Sequence, residues 1–424
     1  MAIPESGFYG LEHSYTILTS TSLGGTTFAS VSSSNSAFIP SLSYVGNNVI
    51  LTIQVPHLFV NLNPLNANIQ SVSEITEALS AAGQISQDLL NAINSLAGLS
   101  NSAVDAALDQ LHPAPYSAVQ ELQTELGSFL LSYFQRPKAH SCKCNADWRL
   151  WTQPFGNALR IKNTVKQRGF HTATGGIAIG ADKTYDDAFS FGFGAAWNQS
   201  HLHWKRDQGF GTINSYYAGL YGDYYPNSFY LGGSILTGFD SYHMHRKVPF
   251  VSNNTAQAHY HSANLFAKVM TAYFFSYKTG FFSPFASVDL LYLMSGDIDE
   301  KGLGGLALNV DDRTASTLRT KVGIAVEKKA QCTAGAVHAA PRLALAWVNM
   351  TPLQRDAFRA RFVNTTIPFT THGWDQTWNL LSIDAGLSLN SRTFSLGLDY
   401  NIEFTPRSLL YLNQNGYASL NWKW

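Results

Sequence analysis

From residue 147 to the end of the chain, apolar and polar positions alternate with a period of two. Phe189, Phe191, Phe193 and Trp197 alternate with Ser190, Gly192, Gly194 and Asn198. Leu381, Ile383, Ala385, Leu387 and Leu389 alternate with Ser382, Asp384, Gly386, Ser388 and Asn390, and Leu396, Leu398, Tyr400, Ile402 and Phe404 do so with Ser395, Gly397, Asp399, Asn401 and Glu403. Val322, Ile324 and Val326 stand against Lys321, Gly323 and Glu327. This period predicts strands with one apolar and one polar face. The last segment fits the same pattern: Ala418, Leu420, Trp422 and Trp424 share one face, and Ser419, Asn421 and Lys423 the other.

About twelve such strands follow one another, an even number, and their links alternate in length. Short links are expected at Tyr185-Asp186-Asp187, Pro226-Asn227-Ser228, Lys278-Thr279-Gly280 and Asn390-Ser391-Arg392, and long ones near 204–213, 246–258, 296–316 and 350–376. A half-buried soluble β-sandwich also alternates, but nothing in it requires this asymmetry. A transmembrane barrel with short turns on one rim and long loops on the other does show it.

Upstream the pattern changes. In residues 1–60, short runs such as Val49-Ile50-Leu51-Thr52-Ile53 are bounded by turn formers such as Gly46-Asn47-Asn48, which predicts a few strands or solenoid rungs. In residues 71–136 glycine and aromatics thin out. Ile75 and Leu79, then Ile85, Leu89, Ile93 and Leu96, follow helical spacing. A second helix is expected to open at Ser102 and stop before Pro113. A third opens near Ser117 with Gln120 three residues on, and Val119, Leu122, Leu126, Phe129 and Leu130 form its apolar stripe. Ser117 to Phe134 would be roughly 27 Å long, close to the thickness of a bilayer core. Residues 137–146 read as a linker.

Composition agrees with lipid-facing strands. Charged residues make up 13% of the 424, and aromatics also 13%. Lys plus Arg equals Asp plus Glu at 28 each, so no net charge draws the chain to nucleic acid. No apolar run reaches the length of a spanning helix, so membrane insertion requires a closed barrel that pairs all its backbone groups. Met1-Ala2-Ile3-Pro4-Glu5 lacks the basic and apolar regions of a signal peptide, which an outer-membrane protein needs; further sequence is expected upstream. Cys142, Cys144 and Cys332 are an odd count with no zinc spacing and read as incidental thiols or one disulfide.

The expected fold is mainly β: a 12-stranded antiparallel transmembrane barrel with a central N-terminal helix, preceded by a helical junction and a short β segment. This order resembles the autotransporters of type V secretion. Three stretches carry the resemblance. Pro40 to Ile53 is similar to the end of a passenger. Ala106-Ala107-Leu108-Asp109-Gln110-Leu111, with Pro113 and Tyr116, is similar to the junction. Asp147 to Trp424 is similar to the translocator barrel. The resemblance divides the chain into a passenger end (1–70), a junction and pore helix (71–136), a linker (137–146) and a barrel (147–424). It implies a barrel in the outer membrane of a Gram-negative bacterium, acting as a monomer, that exports and anchors its own passenger at the cell surface among outer-membrane lipids. It also implies that the β-barrel assembly machinery reads the terminal strand at Leu420, Trp422 and Trp424. The usual last residue in that family is Phe, so Trp424 departs from it. One branch of the family cuts its pore helix between adjacent Asn residues; Ser117–Phe134 contains no Asn, so that reaction is not carried over.

Candidate chemistry is sparse. No Gly-x-Ser-x-Gly elbow, P-loop or His-Glu-x-x-His is present, so neither an enzyme nor a cofactor is expected. Asp289, Glu327, Asp384, Asp399 and Glu403, with Arg319, Lys321 and Arg342, are expected to line a hydrated lumen that seats the helix. Three His-x-His pairs, His201/His203, His243/His245 and His259/His261, each put both rings on one strand face. With 246–258 as a hairpin loop, His245 would face His259 and His243 would face His261. This predicts polar strand tips, a surface zinc site of His243, His245, His259 and His261, or a cluster that gains charge below about pH 6 and binds lipid phosphates. The competing functions are a stand-alone porin-like channel or surface adhesin, and a secreted soluble enzyme.

Overall fold

The computed structural model describes residues 12–33, 39–54, 65–96, 99–134, 148–185, 188–251, 254–328, 337–391 and 394–423. Its alternating segments form twelve antiparallel strands closed into a barrel. These are β1 Trp148–Ile161, β2 Phe170–Tyr185, β3 Phe189–Trp204, β4 Gly209–Tyr224, β5 Phe229–Lys247 and β6 Thr255–Tyr273. They continue as β7 Gly280–Ser295, β8 Arg313–Lys328, β9 His338–Pro352, β10 Trp378–Asn390, β11 Phe394–Phe404 and β12 Tyr411–Lys423. Every strand pairs with its sequence neighbours, and β12 returns to β1, with Tyr411 opposite Ile161 and Lys423 opposite Arg149. The pairing lapses between Tyr417–Phe155 and Leu420–Thr152. Pro154 lies there and has no N–H to donate to the ladder.

Closure leaves no sheet edge, so every strand can satisfy its backbone in lipid. The period-two pattern then sorts side chains by solvent. Phe191, Leu220, Ile235, Val322, Leu398 and Trp422 point outward and are exposed, while Ser190, Asn198, Ser215, Asp240, Ser382 and Asn413 are buried inside. On the terminal strand, Leu420 and Trp422 face outward and Ser419 inward; Trp424 lies outside the described residues.

One rim carries the short links 186–188, 225–228, 274–279 and 391–393 and the longer 329–337; the other carries 162–169, 205–208, 248–254, 296–312, 353–377 and 405–410. The long loop expected at 204–213 is instead a tight connection. Trp204 ends β3 and Gly209 starts β4, and the chain reverses through left-handed conformations at Arg206, Asp207 and Gly209. The polar composition of that stretch marks strand ends standing beyond the apolar band, not a loop. The linker 137–146 and Cys142, Cys144 and Cys332 lie outside the described residues.

Two of the long loops build structure of their own. Ile298–Asp299, Leu308–Val310, Ala357–Phe362 and Phe369–His372 form a four-stranded antiparallel sheet over that rim. Helix α1 Ala67–Ala81 packs against its Phe369–His372 strand, α2 Gln87–Asn94 against the Gly304–Leu306 turn of the same loops, and α3 Asn101–Leu108 against α1. The Asn66 side chain caps α1 by accepting from the Asn68 and Ile69 N–H groups, and the Ser86 hydroxyl accepts from Leu89 N–H at the start of α2. The helical spacing from Ile75 to Leu96 is broken between them, because Gly83 takes a left-handed φ of +65° and turns the chain. Helix formation begins at Ala67. The next helix runs Asn101–Leu108 from Ser100, and α4 spans Ser117–Phe134 as its spacing predicts.

Near the N-terminus, Glu12–Thr19, Ile39–Val45 and Asn48–Gln54 form a separate sheet in which the third strand lies between the other two. Its pairings are antiparallel, and Gly46-Asn47 make the hairpin turn between Val45 and Asn48. Antiparallel pairing replaces the stacked solenoid rungs that the spacing also allowed.

Candidate functional site

Helix α4 lies inside the barrel. Sixteen of its 18 residues are buried, polar and apolar alike, so it has no free face. That explains a sequence too polar for a lipid-exposed span: among the described residues no helix is long and apolar enough to cross a membrane by itself. Four polar residues of α4, Gln123, Glu125, Ser128 and Ser132, meet strand partners. Tyr217 Oη donates to Gln123 Oε1 at 2.6 Å, and Tyr411 Oη and Asn413 Nδ2 both donate to the Glu125 carboxylate. The Ser128 hydroxyl donates to Asp289, and Arg319 donates to Ser128. Lys268 Nζ reaches Asp289 Oδ1 at 2.9 Å and the Ser132 hydroxyl at 3.0 Å.

Arg319 and Lys321 also pair with Glu403, and Arg342 with Asp384. Asp289, Arg319, Lys321 and Glu403 are thus drawn together around α4. Buried charges persist only when paired and hydrogen-bonded, and here each has a partner. At the foot of α4, Phe129, Tyr133 and Phe134 pack edge-on or tilted against Phe155, Tyr417, Trp151 and Tyr221, with centroids 4.7–5.8 Å apart. Close fit midway depends on Gly127, where an added Cβ would fall 2.5 Å from the Phe266 ring.

The head of α4 emerges at the long-loop rim, into a buried polar knot. Arg246 at the end of β5 makes a bidentate pair with Glu300 of loop 296–312 (Nε to Oε1 2.7 Å), and its Nη1 donates to the Gln110 carbonyl at 2.6 Å. Tyr116 Oη donates to Glu300 Oε1 at 2.8 Å, and Leu308 N–H donates to Oε2 at 2.9 Å. Trp204 Nε1 donates to the Pro115 carbonyl, and its ring meets Tyr116 edge-on at 5.7 Å.

Around this knot the junction helices are tied to the loops. Asn68 exchanges two hydrogen bonds with the His372 backbone at 2.8 Å, and the Asp88 carboxylate accepts from Gly305 N–H at 2.9 Å. Arg313 pairs with Asp356, and Arg168 with Asp109. His112 Nδ1 accepts from Ala114 N–H, which leaves Nε2–H to donate to Asp109 at 3.1 Å. Burial opposes the Asp109 charge, but His112 and the Arg168 guanidinium outweigh it and hold its carboxyl below the usual range. The result is a barrel stopped by a helix and covered at one rim by its own loops and the junction.

Reading the sequence did not single out Arg246, Glu300, Gln123, Glu125 or Lys268. The available signal was the run of polar residues at Gln120, Gln123, Glu125, Ser128 and Ser132, too many for a helix with one wet face.

The expected histidines all lie on the barrel's outer surface at the long-loop rim, but their register differs from the expectation. His243 faces His259 directly, His245 faces Gln257, and His261 faces Ser241. The strands run on to Lys247 and Thr255, so the hairpin loop is shorter than 246–258 and the pairing slides by two residues. The His243 and His259 rings meet edge-on at 4.3 Å. His245 instead stacks on Phe210 and His261 on Phe239. Among the described residues, no three His, Cys, Asp or Glu side chains converge on one metal position.

Comparison with known proteins agrees with this architecture. The Autotransporter beta-domain family matches residues 150–401, more than half of the chain. No curated protein matches. Among solved structures, the translocator domain of autotransporter NalP from Neisseria meningitidis is similar at TM-score 0.55 and 12% identity, covering 73% of this chain and 97% of that one. The beta domain of the Bordetella autotransporter BrkA is similar at TM-score 0.50 and 14% identity, covering 66% of this chain and all of that one. The chain belongs to the autotransporter family, and its barrel is an outer-membrane translocator that exports its own N-terminal passenger.

Proposed function

We propose that residues 1–70 are the end of a passenger displayed at the cell surface, and that residues 71–136 hold it there as a junction and pore helix. The observation that carries this is the path of α4. It runs from the aromatic cluster at the short-link rim to the Arg246–Glu300 knot at the long-loop rim, and the residues before it dock on that outer rim. In a barrel the longer loops face outward from the cell. The linker 137–146 then returns the chain to β1 of the barrel, 147–424. The outward apolar face of Leu420 and Trp422, with Trp424 following in sequence, is what the β-barrel assembly machinery would read. The closed twelve-strand ring needs no second copy, so the working unit is a monomer. Its chemistry is transport: the charges that converge in the lumen hold a helix.

The test is an epitope inserted within residues 21–33, between the first two N-terminal strands. Antibody should label it on intact cells; labelling only after the outer membrane is permeabilised would overturn the reading. The competing channel reading is separated by conductance. Full-length protein in planar bilayers should conduct little, and deletion of Ser117–Phe134 should raise conductance sharply. A full-length protein that already conducts as a porin would favour the channel.

A further inference from the structure

The outer face of the long-loop rim carries a run of basic and imidazole groups on β1–β5. Arg160 of β1, His171 of β2, His203 of β3, Phe210 of β4 and His245 of β5 are direct cross-strand neighbours and form one row. The His171 and His203 rings stack at 5.2 Å, and Phe210 and His245 at 4.6 Å. One pleat further out stand Lys162, Lys205 and Lys247. Lys247 is held by Asp207 at 2.8 Å. Among the described residues no carboxylate lies within ion-pair distance of Arg160, Lys162 or Lys205. Lys205 is pushed down by partial burial and then by Arg160 and Lys162, so the cluster repels itself. One pleat closer to the membrane, His201, His243 and His259 continue the basic character.

Below these rows comes the register Ile177–Trp197–Tyr216–Phe239, all exposed, which is the apolar band with its aromatic girdle. At about 3.3 Å per residue and a strand tilt near 40°, the inner histidine row stands roughly 10 Å, the Arg160–His245 row roughly 15 Å and the lysines roughly 20 Å beyond that girdle. The inner histidines thus stand at the outer edge of the headgroup layer, and the rows above them reach back toward it with long Arg and Lys side chains.

We propose that this strip on β1–β5 binds the phosphate groups of outer-leaflet lipids. Three cations with no carboxylate partner, above a girdle, suit a multiply charged oxyanion, because guanidinium and ammonium groups make charge-assisted hydrogen bonds to phosphate oxygens. The stacked imidazoles add donors in a fixed row. Acidification strengthens the site: partial burial, then His203, Lys205 and Arg160, hold the His171 imidazole below the ordinary histidine range, and it gains charge as the pH falls; it faces Arg160 on β1 and His203 on β3, with Lys205 just past the end of β3.

The test uses the full chain folded in nanodiscs of phosphatidylcholine. These carry a minor fraction of brominated phosphatidic acid, or of brominated phosphatidylcholine as control. Quenching of tryptophan fluorescence, with Trp197 just below the strip, reports which lipid lies against the barrel. Wild type should prefer the phosphatidic acid by roughly threefold or more at low salt. The preference should grow at pH 5.5 (about one unit below the ordinary histidine pKa). It should fall to near unity in Arg160→Gln/His171→Asn/His203→Asn/Lys205→Gln, whose changes lie on the surface and leave heat-modifiable migration intact. If that variant does not fold, loss of the wild-type preference with rising salt stands in for it, since exposed charges are screened. Several results overturn the proposal: equal quenching by both lipids, a preference that survives the four substitutions or high salt, or abolition by free inorganic phosphate, which would mark a soluble-anion site. A preference that needs added zinc and vanishes with chelator would assign the rim to a metal held by His243 and His259 instead.

Discussion

Arg246 and Glu300 form a bidentate ion pair that joins the end of β5 to the loop after β7, with the two side chains 3% and 0% exposed. The same pair collects Tyr116 and the Gln110 carbonyl from the junction, so barrel, loop and junction meet at one buried charge pair.

Removing one partner leaves the other charge buried and unpaired. Glu300→Ala should therefore loosen the rim by about 3–5 kcal/mol. The expected readout is faster proteolysis of α1–α3 in the folded protein, with heat-modifiable migration of the barrel unchanged. The double change Arg246→Met/Glu300→Leu should lose much less, because it leaves no orphan charge. Equal protease resistance of Glu300→Ala and wild type would refute this role.

Alanine is a better helix former than glycine by about 1 kcal/mol, yet Gly127→Ala should weaken the seating of α4. Its Cβ would stand 2.5 Å from Phe266 ring atoms. Overpacking of this kind costs about 1–3 kcal/mol. Bilayer recordings should show more frequent open events for Gly127→Ala, and Gly127→Ala/Phe266→Leu should return to wild-type behaviour. Recordings of the single variant identical to wild type would count against a tight fit.

Leu420 to Lys423 pair with Thr152 back to Arg149 and complete the ring, just past the gap left by Pro154. Deleting Leu420 to Trp424 removes that part of the seam and should abolish heat-modifiable, membrane-inserted protein. Substituting Trp422→Ser keeps the backbone ladder but removes an outward apolar group, and should slow assembly without abolishing it. Normal assembly of the truncated chain would show that the seam closes without these residues.

Asp109 is held below the usual carboxylate range despite its burial. A depressed folded pKa means its contribution is complete above the ordinary aspartate value near 3.9 and is lost as pH falls through the lower folded value. Amide exchange in α3 should therefore speed up steeply below about pH 4 in the wild type. Asp109→Asn, which has no carboxylate to titrate, should show a flatter dependence from a weaker start. Parallel profiles would exclude Asp109 as the titrating group.

Some of this was legible from local pattern. Period two across Phe189–Trp197 and Leu396–Phe404 told which side chains meet lipid, because every strand residue points to one face or the other whatever its partner. The spacing after Ser117 likewise gave α4 its bounds. The acids and bases Asp289, Glu403, Arg319 and Lys321 were placed on the lumen side by the same rule.

What the chain's pattern determined was therefore the sidedness of each element: strands with an apolar outer face, a helix of barrel-spanning length, and an order that resembles the autotransporters. Tertiary structure alone decided register and partnership. His243 meets His259 because the hairpin between β5 and β6 closes at Lys247 and Thr255, and a shift of two residues preserves every apolar and polar face, so alternation could not detect it. Arg246 meets Glu300, and Glu125 meets Tyr411, across long stretches of chain; such contacts are settled by where the closed barrel places each strand end, which no local periodicity encodes.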